Sequence, residues 1–235
     1  MVFKEVIMTK TSLSGWNFCH ELLNESHVII GGATGSGKSV LLDDILYTLA
    51  GYDPNDDRIV LLDIKRVGLK KWRKLPHVIR FETEFDTIRS ALSWVNAEMD
   101  RRYVDMYRKD LELSDKYRIY VIIDEANEVL TDKACLEYVN RLMRLARAAE
   151  IHLIMATQDV SRTTGIPARI WKNASCTVGL RCNNPTDSRQ IIGIGGCEKL
   201  PRFGQSYIRD SAGVHPQMIP LTTREKIDNR IHAYL

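Results

Sequence analysis

Two short stretches of this 235-residue chain hold residue types at spacings that can do chemistry together. The first is GATGSGKS, residues 32–39, which reads G-x-x-x-x-G-K-S. It follows the apolar Val28, Ile29 and Ile30 and precedes a helical pattern from Val40 to Leu49. Strand, glycine-rich turn and helix N-terminus in that order form a phosphate cradle. Gly32, Gly35 and Gly37 can take positive φ, so that successive backbone amides turn toward one anion. The cradle Gly32, Ala33, Thr34, Gly35, Ser36, Gly37, Lys38, Ser39 and Val40 then suits a nucleoside triphosphate, with Lys38 reaching the β and γ phosphates and Ser39 a Mg2+ ion. The second stretch is IYVIIDEANEVL, residues 119–130, in which two carboxylates end an apolar run. Asp124 there suits the magnesium shell and Glu125 the polarisation of an attacking water. The competing reading makes both of them caps of the next helix, where negative charge meets the positive dipole end.

Two further segments are more ambiguous. Gln158 directly follows the apolar HLIMAT, residues 152–157, and reads either as a γ-phosphate sensor or as a polar residue ending a strand. KRVGLKKWRK, residues 65–74, sets six cations around Trp72. Such a segment can track a phosphate backbone and stack a base. A solvated loop with Trp72 packed beneath it is favoured, since charge runs are common on surfaces.

Elements to position these groups are legible in the periodicity. RIVLLDI (58–64), IYVIID (119–124) and HLIMAT are near-continuous apolar runs, as parallel strands covered on both faces require. Phe85, Ile88, Leu92, Val95, Met99 and Met106 recur at helical steps and predict one amphipathic helix over about 84–110, with another over about 133–149. In that second helix Arg141, Arg144 and Arg147 would share a face opposite Leu142, Leu145, Ala146 and Ala149. Beyond residue 174 the signals shorten, with CTVGLR and FGQSYIR as edge strands and GIGG as a turn. The result is an α/β class, a mostly parallel central sheet flanked by helices, in one domain: an N-terminal extension (1–25), a core (26–174), and C-terminal edge strands and tail (175–235).

Composition limits the alternatives. A hydrophobic content of 44% supports one sizeable core, and the net charge of +3 is too small to demand a nucleic-acid partner. No apolar run approaches a bilayer span and no signal-peptide core opens the chain, so a cytoplasmic protein is expected. Five cysteines without paired C-x-x-C spacing argue for reduced core thiols rather than a zinc site or disulfides.

Eight stretches together resemble the motor domain of the FtsK/SpoIIIE family of DNA translocases, within the HerA/FtsK group. They are GATGSGKSV (32–40), LLDIK (61–65), LPHVI (75–79), EMDRRY (98–103), IIDEANEVL (122–130), RAAEIHLIMATQ (147–158), DSRQII (187–192) and GGCEKL (195–200). The resemblance implies a RecA-like ATPase that binds ATP and Mg2+, assembles as a homo-hexamer and moves double-stranded DNA through its channel. It makes Asp124 the Walker B acid, Glu125 the catalytic base, Gln158 the sensor and Arg147 an arginine finger that enters the neighbouring subunit's site.

The chain also departs from that pattern. Asp159 and Val160 stand where family members usually carry Arg-Pro, and RCNNPTDSR lacks the usual basic residue shortly before its DSR. Arg162, Arg169 and Lys172 are the candidates to supply phosphate contacts from shifted positions. Without the membrane helices, linker and winged helix of chromosome-segregating members, the resemblance implies a stand-alone motor of a plasmid, phage or integrated element, with a partner to load it. A protein-secreting motor and a nucleotide-dependent assembly module are the alternatives.

Overall fold

The computed structural model describes residues 15–161 and 165–234. Helix α1 (Gly15–Asn24) leads into strand β1 (His27–Gly31), the phosphate-loop turn and helix α2 (Lys38–Leu49). Strand β2 (Asp57–Asp63), a 3-10 turn at Lys70–Lys74, strand β3 (Val78–Glu82) and the long helix α3 (Phe85–Lys109) follow. Strand β4 (Arg118–Asp124), the short α4 (Ala126–Val129), helix α5 (Lys133–Leu145) and strand β5 (Ile151–Thr157) complete the first part. The remainder is α6 (Ala168–Trp171), β6 (Cys176–Gly179), α7 (Pro185–Ile192), a 3-10 turn at Cys197–Lys199, β7 (Gln205–Asp210), β8 (Gly213–Met218) and α8 (Arg224–His232).

The strands form one sheet in the order β3-β2-β4-β5-β1-β6-β7-β8. All pairings from β3 to β6 are parallel, whereas β6–β7 and β7–β8 are antiparallel. Because side chains alternate along a strand, each central strand feeds two cores. Ile29, Val60, Leu62, Val121 and Ile123 face the side covered by α3 and α5. Val28, Ile30, Ile59, Leu61 and Ile122 face the side covered by α1, α2 and α8. Each such side chain, fully buried, contributes about 1.5–3 kcal/mol. That two-sided demand is why β2, β4 and β5 read as unbroken apolar runs.

Three expectations need correction. Cys176–Gly179 is an interior strand bonded to β1 on one side and β7 on the other, and Gln205–Asp210, in FGQSYIR, is interior too, between β6 and β8. The edges are instead β3 and β8, of which β8 carries a weak strand pattern because its side chains stay half exposed. The second long helix ends at Leu145, and Arg147 falls in the turn before β5, where Glu150 adopts φ 55°. Arg147 therefore shares no helix face with Arg141, which is bound to Asp100 at 2.5 Å.

That turn is held in place from α3. Arg102 is fully buried, pairs with Glu98 at 2.8 Å and donates to the Ala149 carbonyl at 2.7 Å. The Tyr117 ring lies 4.9 Å from its guanidinium carbon. Tyr103 donates to the Leu145 carbonyl, and Ser114 N–H to that of Ala148. No helix among the described residues is long and apolar enough to cross a membrane.

Glu98 is shared between the buried Arg102 and the exposed Arg101, so removing Arg102 leaves its buried carboxylate only a solvent-facing partner and the Ala149 carbonyl without its donor. Arg102→Met should therefore destabilise the protein by about 3–5 kcal/mol in urea unfolding, and adding Glu98→Leu should return a large part of that loss. A double variant no more stable than Arg102→Met would refute the account of the pair.

Candidate functional site

Parallel strands leave their C-terminal tips on one edge, and the loops from those tips are where such sheets place ligands. Here the tips of β1, β2, β4 and β5 bring the phosphate loop, Asp63, Asp124, Glu125 and Gln158 together. Within the loop only some glycines need their freedom of φ. Gly35 (72°) and Gly37 (103°) are left-handed, and Gly37 is the N-cap of α2. Gly32 is not left-handed, in contrast to expectation; it is small because a Cβ there would lie 2.6 Å from Ser36 Oγ and 2.8 Å from Leu180 Cβ.

Lys38 is buried, and its ammonium donates to the carbonyls of Gly32 at 2.7 Å and Ala33 at 2.9 Å. Burial lowers its pKa to about 8, partly opposed by Glu125 and Asp124. A cation held this way satisfies its donors on the loop that a triphosphate would fill. The buried Ser36 Oγ has no hydrogen-bond partner among the described residues, and it faces the same cradle. Ser39 is exposed at the first turn of α2, free to ligate an ion. These features fit a nucleoside triphosphate with its magnesium.

Asp124 ends β4 opposite Asp63, its register partner on β2. Desolvation first, then the charges of Glu125 and Asp63, raise the pKa of Asp124 to about 6. Asp63 accepts from Leu69 N–H through one oxygen, while the other is buried without a hydrogen bond. Gly68 crosses so close that a Cβ would lie 2.4 Å from Asp124 Oδ2. Two buried carboxylates side by side, one with an oxygen that accepts no hydrogen bond, suit a hard cation bound through oxygen.

Glu125 is 4% exposed and sits in the left-handed region at φ 54° and ψ 55°. For a non-glycine residue that conformation costs on the order of 1–3 kcal/mol, and such strain clusters at working sites. It occupies the N-cap position of α4, yet its side chain makes no capping bond, which removes the helix-cap reading. The carboxylate is held instead by Lys65 at 3.1 Å and by the Gln158 amide, which donates to the same oxygen. Gln158 in turn accepts from Thr34 Oγ1 at 2.6 Å. A chain of polar contacts thus runs from the phosphate loop through Gln158 to Glu125.

Lys65 and the bridging use of Thr34 were not separable by sequence. Lys65 stood in a basic run, and only the β2–β4 pairing shows that it lies over the acidic tip. The rest of that run is a surface turn: Trp72 is fully buried and its Nε1 donates to Asp43 at 2.8 Å, so it has no face for a base. Arg66 pairs with Glu84 and Lys71 with Asp43.

The remaining candidates lie apart from this edge. Arg147 is exposed beyond the opposite end of β5, and seven strand residues at about 3.3 Å each separate it from Gln158, roughly 23 Å. It lines a cavity of about 850 Å³ with Lys172, Arg209 and His152. Arg169 pairs with Glu137 at 2.9 Å on the surface. Arg162 lies outside the described residues. Asp159 serves its own loop, its carboxylate accepting from Ser161 N–H at 2.8 Å.

With the geometry in hand, similarity to known proteins becomes informative. The model of the FtsK/SpoIIIE family matches residues 5–129, more than half of the 235-residue chain. DNA translocase FtsK of Borreliella burgdorferi is 32% identical over 228 residues, covering 88% of this chain and 29% of that protein. The chain thus spans less than a third of that relative's length. The pCW3 conjugation coupling protein TcpA, in a monomer form with ATPγS, superposes with a TM-score of 0.76 at 20% identity, covering 91% of this chain and 66% of that one. The cytoplasmic domain of the Thermomonospora curvata type VII secretion ATPase EccC gives 0.72 at 23%, covering 89% and 28%. At these identities the structural likeness is one of fold. The chain belongs to the FtsK/SpoIIIE family and has the P-loop ATPase fold.

Proposed function

We propose that this chain is an ATP-hydrolysing motor that acts on double-stranded DNA in the cytoplasm as a ring of identical subunits. The observation that supports it most is the linkage of Thr34, Gln158 and Glu125 at the converging strand tips. Lys38 and the loop amides hold the triphosphate. Ser39 and Asp124 would hold Mg2+, which screens the phosphate charges. Glu125 accepts a proton from the water that attacks the γ-phosphorus; the new P–O bond forms as the bond to the β–γ bridging oxygen breaks, giving ADP and phosphate. Gln158 touches both the base and the loop, so loss of the γ-phosphate alters its partners. That change passes into the segment after β5, where the DNA candidates Arg162, Arg169 and Lys172 follow.

Arg147 enters this scheme only from a neighbouring copy, since its own site lies the length of β5 away. Its exposure, and its anchoring by Arg102 through Ala149, suit a cation presented to a partner. An arginine supplied in this way can be worth roughly 10³–10⁵ in rate.

A second reading gives the motor a protein cargo. The replacement of Arg-Pro by Asp159 and Val160 favours it, with the carboxylate turned to loop geometry rather than to a phosphate backbone.

Four measurements address these statements. ATP turnover should rise with duplex DNA and fall steeply with salt, because phosphate contacts release counterions. Turnover indifferent to DNA at low salt would favour the protein cargo. Lys38→Ala should abolish turnover, and Glu125→Gln should lower it by about 10²–10⁴ while nucleotide still binds. Unchanged turnover in Glu125→Gln would instead support an assembly module. Mixing inactive Lys38→Ala with inactive Arg147→Ala subunits should restore part of the turnover, as sites pairing an intact loop with an intact arginine form; no recovery at any ratio sinks the trans role. Finally, Asp124 has a folded pKa of about 6, above its ordinary value, so its ionisation costs folding stability as pH rises from about 4 through 6. Asp124→Asn should thus raise the melting temperature of the nucleotide-free protein at pH 8, by on the order of 2 kcal/mol of stability, and much less at pH 4.5. An equal gain at both pH values would contradict the assignment.

A further inference from the structure

Residues 201–204, between the turn at Cys197–Lys199 and β7, pass over the mouth of the phosphate loop. A Cβ placed on Gly35 would lie 3.2 Å from Arg202 Nη2, and one on Gly37 would lie 3.9 Å from the Phe203 ring. Arg202 is exposed, makes no ion pair with any described residue, and lies over the Phe203 ring at 5.2 Å. Phe203 is 53% exposed, and Leu221, beside Gly204, is 58% exposed. A large aromatic side chain bared beside a phosphate site calls for a cover.

The surrounding chain is fixed rather than loose. Ile219 N–H donates to the Gly204 carbonyl at 3.1 Å, and Thr222 N–H to Asp44 Oδ1 at 2.9 Å, which ties this segment to α2. A groove of about 310 Å³, lined by Asp44, Tyr47, Thr48, Leu221 and Thr222 among others, adjoins Leu221. Phe203 lies beside Gly37, the N-cap of α2, past which a nucleotide whose phosphates occupy Gly32–Val40 leads its ribose and base out of the loop.

We propose that Arg202 and Phe203 belong to the nucleotide site, Arg202 as a phosphate contact at the mouth of the loop and Phe203 as the aromatic face that receives the base. The inference rests on the reading of Gly32–Val40 as a nucleotide site, and names how that site selects a nucleotide over a bare polyphosphate. An aromatic face adds affinity for any base, because every base has a π-surface, and the guanidinium over the ring adds charge where the phosphates begin.

The test is displacement of a fluorescent ATP analogue by ATP and, separately, by inorganic tripolyphosphate, in the wild-type chain, Phe203→Ala, Phe203→Tyr, Arg202→Ala and Lys38→Ala. Phe203→Ala should weaken ATP by roughly fivefold or more, the size of one base stack, and leave tripolyphosphate unchanged, while Phe203→Tyr keeps ATP affinity. Arg202→Ala should weaken both competitors. If Phe203→Ala binds ATP like the wild type while Lys38→Ala loses it, the aromatic face is refuted and the phosphate loop stands. Equal weakening of ATP and tripolyphosphate by Phe203→Ala would also refute it, as would a change in mass in solution without a change in ATP affinity, which would mean that the patch covers a neighbouring copy. Failure of the wild type to bind ATP would overturn the nucleotide reading itself.

Discussion

Two adjacent carboxylates buried at the tip of β4 are the constraint around which this fold is arranged. Asp124 and Glu125 lie within a strand register of Asp63, in a place that water hardly reaches. Negative charge so confined must be compensated, and the chain does so unevenly. Glu125 has Lys65 and Gln158, whereas Asp63 beside Asp124 keeps one oxygen buried without a hydrogen bond. The uncompensated part is what a cation would complete, and it is visible as the raised pKa of Asp124.

Several unrelated features follow from that arrangement. Gly68 must lack a side chain because its backbone closes over Asp124. Glu125 must enter the left-handed region, which turns its carboxylate away from the helix it precedes and toward Gln158. Lys65 leaves the basic run around it to lie against Glu125, whereas Lys71 and Trp72 turn to Asp43 on α2. At the other end of the sheet, the buried Arg102 and Glu98 fix the turn that carries Arg147. The sheet thus presents an acidic, phosphate-ready edge at the strand tips and a cationic turn at the strand starts. On the proposed reading these two edges meet between copies.

The elements that the sequence made legible are those under a local rule. The runs at 58–64, 119–124 and 152–157 had to be apolar on both faces, and the helix over 84–110 had to keep one apolar stripe, so each appears within a residue or two of its expected place. Elements whose pattern depends on distant neighbours are not legible in this way. CTVGLR reads as an edge because the apolar signal shortens beyond residue 174, yet the place of β6 beside β1 buries it completely. The helix before β5 stops at Leu145 although Ala146, Ala149 and the arginines continue a helical period, because Arg102 and Ser114 claim the carbonyls of that segment and bend it into a turn.

By itself the sequence determined the phosphate loop, the acidic pair and their attachment to strand ends, because each depends on a few consecutive residues whose backbone geometry and charge suffice to state the chemistry. What only the tertiary structure decided is which distant groups meet there. That Lys65 and Gln158 hold Glu125, that Arg202 and Phe203 border the loop, and that Arg147 stands at the far end of β5 all follow from strand order and register. Those quantities are set by packing across the whole sheet, and no local run of residues carries them.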